Sequence, residues 1–142
     1  MSGLDLAKVV SSSGTYGWTE SEWVLAAGGE QGERYPWDTS GAATRDPEQI
    51  LQRTNISESG IQRTTPVGLY PQGRSYSYKL WDMAGNVFEW QANKYDKDHD
   101  SPRLRGGSWY YNRDSARVAY RDSLHPFVTH DNVGFRVASL PA

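Results

Sequence analysis

The stretch RGGSWYYNRDSARVAYRDSLHPFVTHDNVGFRV, residues 105–137, decides how this chain is read. Its two ends are tightly specified. Arg105-Gly106-Gly107-Ser108-Trp109 sets a glycine pair, the commonest signature of a tight turn, against a large ring. Val133-Gly134-Phe135-Arg136-Val137 alternates apolar and polar residues as a strand does. Between these ends, Tyr, Asp, Ser, Leu, His, Phe and Val crowd together with neither a helical nor a strand period. A segment built for burial carries a period, so this pattern points to a rigid frame around a filling that faces water.

Working outward, the 142 residues suit one domain, residues 1–142, which can bury about 70% of the surface its unfolded chain exposes. Hydrophobic residues make up only 37%, and much of the apolar bulk is in rings: six Trp, nine Tyr and three Phe. Fourteen Gly and seven Pro predict many turns and few long elements. The formal net charge of -2 gives no general attraction to nucleic acid or to an anionic membrane. No apolar run is long enough to span a bilayer, and no signal peptide is visible. The absence of cysteine excludes disulfides, thiolate metal sites and a cysteine nucleophile.

Residues 1–15 read as a flexible lead-in with a small apolar cluster (Leu4, Leu6, Val9, Val10). GWTESEWVLAAGG, residues 17–29, predicts a helix with Thr19 as N-cap, Glu22 closing a capping box, Trp18 and Trp23 as a hydrophobic staple, and Gly28-Gly29 as the stop. RDPEQILQR, residues 45–53, predicts a second short helix capped by Asp46, with Pro47 at its first position and Gln49 completing a box. TTPVGLYP reads as a short extended piece, YKLWDMAGNVFEW as a turn leading into a strand, DKDHDS as a polar loop, and VGFRVAS as a closing strand. The fold class is therefore α+β, with short helices and strands and much irregular chain held by aromatic packing. Trp81, Trp90, Trp109 and Phe135 are the expected core anchors.

WTESEWVLAAGGEQGERYPW, TTPVGLYP, LWDMAGNVFEW, LRGGSW and NVGFRV occur in the order found in the sulfatase-modifying, formylglycine-generating enzyme family, which the chain resembles over about residues 17–138. The resemblance implies a C-type lectin-like fold of the formylglycine-generating enzyme type, of which this chain corresponds to the C-terminal part. It also resembles the variable proteins of diversity-generating retroelements, in which adenines of a C-terminal gene cassette are mutated and Asn codons are the main targets. Tyr, Asp, Ser, Leu, His, Phe, Val and Thr can each be reached from an Asn codon by changing adenines alone. On that resemblance Asn112 and Asn132 are unmutated survivors, and the frame Arg105–Trp109, Ala116-Arg117-Val118-Ala119, Pro126 and Val133–Val137 does the folding.

The expected ligand-binding set is Tyr110, Tyr111, Asn112, Asp114, Ser115, Tyr120, Asp122, Ser123, Leu124, His125, Phe127, Val128, Thr129, His130, Asp131 and Asn132. Tyr supplies rigid contact area with a polar tip, and small polar residues adapt their hydrogen bonds, as in antibody paratopes. The bland alternative is a turn-rich loop whose rings face inward. Arg105, Arg113, Arg117, Arg121 and Arg136 make either a basic rim or a set of pairs with carboxylates and carbonyls; the interspersed Asp114, Asp122 and Asp131 favour pairing, and nucleic acid is not an expected partner. In the resembled family the Asn and Glu of GNVFEW can hold calcium. Asn86 and Glu89 are accordingly the candidate ligands of a structural calcium ion, or else a tight-turn residue and an acceptor of backbone hydrogen bonds. Asp96, Asp98 and Asp100 imitate the start of an EF-hand, but Ser101 stands where the loop needs Gly and Gly107 where it needs Glu. Asn55-Ile56-Ser57 is a glycosylation sequon. His125 and His130 have neither a third histidine nearby nor a nucleophile at recognisable spacing, and read as contact residues.

Formylglycine chemistry, on the resemblance, needs a pair of cysteines in the region of Trp109–Ser115, where this chain has WYYNRDS. Members using non-haem iron take His ligands from an additional domain that is not found here. The expectation is a non-catalytic, receptor- or adhesin-like binding protein with a diversified C-terminal surface, needing no cofactor and binding an unidentified ligand, protein rather than glycan or small molecule. The alternative is a catalytically inactive interaction domain of the same family without diversification. A prokaryotic or phage origin is expected; the compartment is left open.

Overall fold

The structure, a computed structural model, describes residues 20–28, 33–94 and 101–137. Two short helices, α1 (Glu20–Ala26) and α2 (Pro47–Leu51), precede a four-stranded sheet of β1 (Phe88–Lys94), β2 (Pro102–Arg105), β3 (Arg121–Ser123) and β4 (Val133–Gly134). The strand order is β3-β2-β1-β4. β2 runs antiparallel to β1 and β3, and β4 lies parallel to β1 at the edge. The other described residues form turns and irregular chain, including 3₁₀ turns at Ser57–Ser59 and Pro71–Gly73, as the glycine and proline content predicts.

Register divides the sheet into two chemically distinct faces. Directly opposed residues share a face, and neighbours along a strand alternate. Glu89, Arg105 and Arg121 therefore form one cross-strand row, while Trp90, Leu104 and Asp122 form a row on the other side. α1 lies on the Glu89 side: Trp23 Nε1 donates to Glu89 Oε2 at 2.9 Å. Phe88, on the opposite side, meets Tyr111 edge-on at 5.2 Å and Tyr120 at 6.3 Å. Trp23 of α1 and the Arg136 guanidinium thus meet the Glu89 face, and Tyr111 and Tyr120 the Phe88 face.

The core forms two clusters. Trp23 and Ala26 of α1, with Ala27 just past its end, are spaced by three and four positions, lie on one helical face and pack with Met83 and Val118. Tyr35, Trp37, Ile50, Ile56, Ala84 and Ala116 form the other, with Tyr35 and Trp37 stacked at 5.0 Å. Buried Asp38 braces the second cluster: its carboxylate accepts from Tyr35 N, Thr44 N and Thr44 Oγ1. That knot makes RYPWD a buried corner.

Asp46 caps α2 with Pro47 at the first helical position, its Oδ1 accepting from Glu48 N at 3.0 Å. Gly28 ends α1 at φ +90°. Thr19, Trp18, the lead-in 1–15 and the aspartates of 96–100 lie outside the described residues. Three expectations are corrected. The core anchors are different: Phe135 is 77% exposed and Trp81, Trp90 and Trp109 are only partly buried, whereas Trp23, Tyr35, Trp37 and Phe88 are interior. Of VGFRVAS, described as far as residue 137, Val133–Gly134 pairs and the described remainder does not, because Arg136 turns back to Glu89 and to the carbonyls of Trp81 and Asp82, taking the chain off the sheet edge. TTPVGLYP is a turn, with Gly68 at φ +85° against the Trp81 ring, and leaves Val67 and Leu69 exposed.

Candidate functional site

The 105–137 segment leaves the sheet at Gly106-Gly107 and returns at β4. Gly107 is at φ +72°, and a Cβ there would lie 2.8 Å from the Ser115 carbonyl oxygen. The first loop therefore closes on its own backbone, an approach that requires glycine. The buried Arg105 guanidinium sits beneath it, with Nη1 donating to the carbonyls of Val118 and Tyr120, each at 3.0 Å. Neighbouring elements fix the outer turn. Ser57 N donates to Tyr111 O, Arg113 N to Glu58 Oε1, Tyr35 Oη to Arg113 O, and Val118 N to Arg34 O. Within the turn, Asn112 Oδ1 accepts from Asp114 N, and the Arg117 guanidinium reaches the carbonyl of Asp114. The Gly85-Asn86 turn adds a further support, as Gly85 N donates to Gly106 O and Trp109 N to Asn86 O.

With the backbone held in this way, the side chains divide. Ser108, Ala116 and Val118 of the frame are fully or almost fully buried. Tyr110, Tyr111, Asn112, Asp114, His125, Phe127, Val128, Thr129, His130 and Asp131 are exposed. Tyr120, Asp122, Ser123 and Leu124 are half-buried. Two expected display residues are interior and are corrected: Ser115 (5% exposed) lies under the Gly107 crossing, and Asn132 (9%) donates from Nδ2 to Ser108 Oγ at 3.2 Å. Within the frame, Ala119 and Pro126 are exposed, so framing is a backbone role at those positions.

Several of the exposed groups are brought together. Trp109, Tyr110 and Tyr111 follow one another edge-to-face at 5.7 Å per step, the preferred geometry for aromatic pairs. Burial raises the Tyr111 hydroxyl above its ordinary value near 10, and the nearby charges of Asp122, Tyr120 and Tyr110 push the same way. Tyr111 and Tyr120 both meet the Phe88 ring, although they come from opposite sides of the first loop. Trp109 Nε1 points at the Asp131 carbonyl, at 3.5 Å, which brings the second loop alongside. Farther on, His125-Pro126-Phe127-Val128 is a β-turn closed by Val128 N to His125 O at 2.9 Å, with Phe127 89% exposed at its tip.

The arginines act mainly as braces. Arg105 holds carbonyls, Arg117 pairs with Asp114 at 3.7 Å, and Arg136 pairs with Glu89 at 2.8 Å. The candidate calcium ligands do not fit that ion. Asn86, in the left-handed region at φ +64°, uses Oδ1 to accept from Thr65 N and Asn55 Nδ2 and donates Nδ2 to Thr65 O. Both Glu89 carboxylate oxygens face the Arg136 guanidinium, and Oε2 also takes the Trp23 indole. Turn-making and ion pairing occupy the oxygens a cation would need. Among the described residues, no three His, Asp or Glu side chains gather as metal ligands. The sequon is unusable in the folded chain, because Asn55 is 1% exposed and its amide donates to Arg63 O and Asn86 Oδ1. Sequence reasoning missed Glu58 and Phe88 as supports of the site; Glu58 lies 55 positions from its partner Arg113, and local spacing carries no such signal.

Comparison with known proteins agrees with this architecture. The model of the sulfatase-modifying factor enzyme 1-like domain matches residues 17–140. Inactive C-alpha-formylglycine-generating enzyme 2 from Bos taurus is 37% identical over 130 residues, covering 85% of this chain and 42% of that protein. Formylglycine-generating enzyme from Streptomyces coelicolor is 35% identical over 147 residues, covering 85% of this chain and 45% of that one. Among solved structures, Treponema denticola variable protein 1 superposes with a TM-score of 0.65 at 27% identity, over 83% of this chain and 45% of its own. The chain spans less than half the length of each of these proteins. With its α+β architecture, its mixed sheet and a family match across most of its length, the chain belongs to the sulfatase-modifying factor enzyme 1-like, formylglycine-generating-enzyme-type domain family.

Proposed function

We propose that this chain is a non-catalytic binding module that presents a diversified surface, built from the exposed side chains of residues 110–131, to a protein partner. The carrying observation is the division of exposure within one segment: Ser108, Ala116 and Val118 are interior while Tyr110, Phe127 and His130 face water. A backbone fixed by Arg105, Glu58 and Tyr35 pre-empts the ordering entropy of binding, so side chains can change without refolding. Likeness to Treponema denticola variable protein 1 supports diversification by a retroelement cassette. The lack of cysteine removes the thiol pair that formylglycine chemistry uses. A protein partner is favoured by shape. The Phe127 tip is convex, and a convex aromatic anchor needs a concave apolar pocket around it, as at protein–protein hot spots.

The gene neighbourhood tests the reading. A reverse transcriptase gene and a near-copy of the 3′ cassette, differing only where the copy has adenine, are expected. Substitutions spread evenly over frame and filling would instead support an undiversified interaction domain, which likeness to an inactive family member also suits.

A further inference from the structure

We propose that Asn132 is a positioning residue, a clasp that joins the two ends of the display segment into one surface, and that it is therefore not itself among the residues that meet ligand. The inference rests on the display reading and sharpens it by separating the residues that hold the surface from those that form it.

Asn132 sits where the segment re-enters the sheet and is 9% exposed. Its carbonyl accepts from Phe88 N at 2.9 Å, which fixes it to the start of β1. Its side-chain Nδ2 donates to Ser108 Oγ at 3.2 Å, reaching the start of the segment across 24 positions of chain. Ser108, fully buried, passes the restraint on, because its Oγ also accepts from Tyr110 N at 3.3 Å. The neighbouring Trp109 Nε1 and Asp131 O lie across the same seam. The exposed Tyr110 is two residues from Ser108 and hydrogen-bonded to it, the exposed Asp131 is next to Asn132, and the separation of the two is set by the clasp. A carboxamide suits the place: it offers the N–H donor without a charge that the buried site would have to desolvate. Among residues reachable by adenine changes from an Asn codon, Phe, Leu and Val lack a donor, Asp carries the charge, Tyr and His bring a ring to a buried place, and the Ser and Thr hydroxyls are one atom shorter than the carboxamide. Position 112 is exposed, and its side chain only accepts, from Asp114 N, a role that Asp or Ser can also fill.

The test uses the ligand-free protein and reads amide exchange and the Trp109 indole resonance by NMR in Asn132→Ala, Ser108→Ala and the double variant. The expected result in Asn132→Ala is exchange at the Tyr110 amide at least tenfold faster and a shifted Trp109 indole signal, with Val118 and Asn86 amides speeding only by any common loss of stability. Ser108→Ala is expected to give the same pattern, and the double variant no further change. Should Asn132→Ala not fold, Asn132→Ser, which shortens the donor and leaves Ser108 Oγ in place, decides by the same two signals. Exchange at Tyr110 rising only in step with Val118 and Asn86 would make Asn132 an ordinary core residue, and additive effects in the double variant would break the clasp; either result overturns the proposal. Because no ligand is used, these outcomes are independent of whether the surface is diversified, which the gene neighbourhood decides.

Discussion

Replacing Gly107 by alanine probes the closure on which the display loop depends. Two effects add. At φ +72° a Cβ residue occupies the left-handed region, which costs about 1–2 kcal/mol. The new Cβ would also lie 2.8 Å from Ser115 O and 2.9 Å from Ala116 N, backbone atoms that cannot swing aside, and such overpacking adds about 1–3 kcal/mol. The sum, about 2–5 kcal/mol, corresponds to a fall in Tm of roughly 5–15 °C for a domain of this size. Gly41→Ala is a built-in control: it has φ +80° but nothing within 4 Å of its Cβ, so it isolates the conformational part. Thermal unfolding followed by circular dichroism should rank Gly107→Ala well below Gly41→Ala, with Gly41→Ala below wild type by a few degrees. Equal losses in the two variants would refute the close approach of Gly107 to Ser115–Ala116, and with it the account of how the loop is held.

Further outcomes follow from the same structure. Arg136→Ala strands the interior Glu89 carboxylate without its cation and should destabilise by about 3 kcal/mol, read by urea unfolding; a change below about 0.5 kcal/mol would mean the pair is idle. The buried Tyr35 hydroxyl titrates above its ordinary value near 10, chiefly because of burial. A raised folded-state value means that stability is complete below about pH 10 and declines as pH rises through the folded value; Tyr35→Phe should flatten that decline. Phe88→Ala, emptying a site that is 2% exposed, should cost about 3–5 kcal/mol, whereas Tyr111→Ala, which uncovers one edge of the Phe88 ring, should cost clearly less but measurably.

The sequence carried the element types and the frame better than the identity of the core. Asp46-Pro47 and Gly28 state helix limits within a few residues of chain, where local stereochemistry decides, and both were readable. Trp109 and Phe135 were misjudged because ring size predicts burial only on average. Phe135 follows a two-residue edge strand and is turned outward when Arg136 is drawn to Glu89, a partner 47 positions away. The exposed filling was legible as an absence of period. Asn132 and Ser115 could not be separated from it, since their burial depends on the Ser108 contact and the Gly107 crossing, and both arise only once the loop has closed. The Thr65 and Arg136 contacts of Asn86 and Glu89 are long-range in the same way and carry no local signal.

The most direct test of the central claim is the melting temperature of a variant in which Tyr110, Asn112, Phe127, Thr129 and His130 are replaced together by serine or alanine. All five are exposed, and surface substitutions of this kind each change stability by less than about 0.5 kcal/mol. The account predicts a cooperative transition within a few degrees of wild type. A loss of 10 °C or more, comparable to Gly107→Ala, would show that the filling carries the fold and would contradict it.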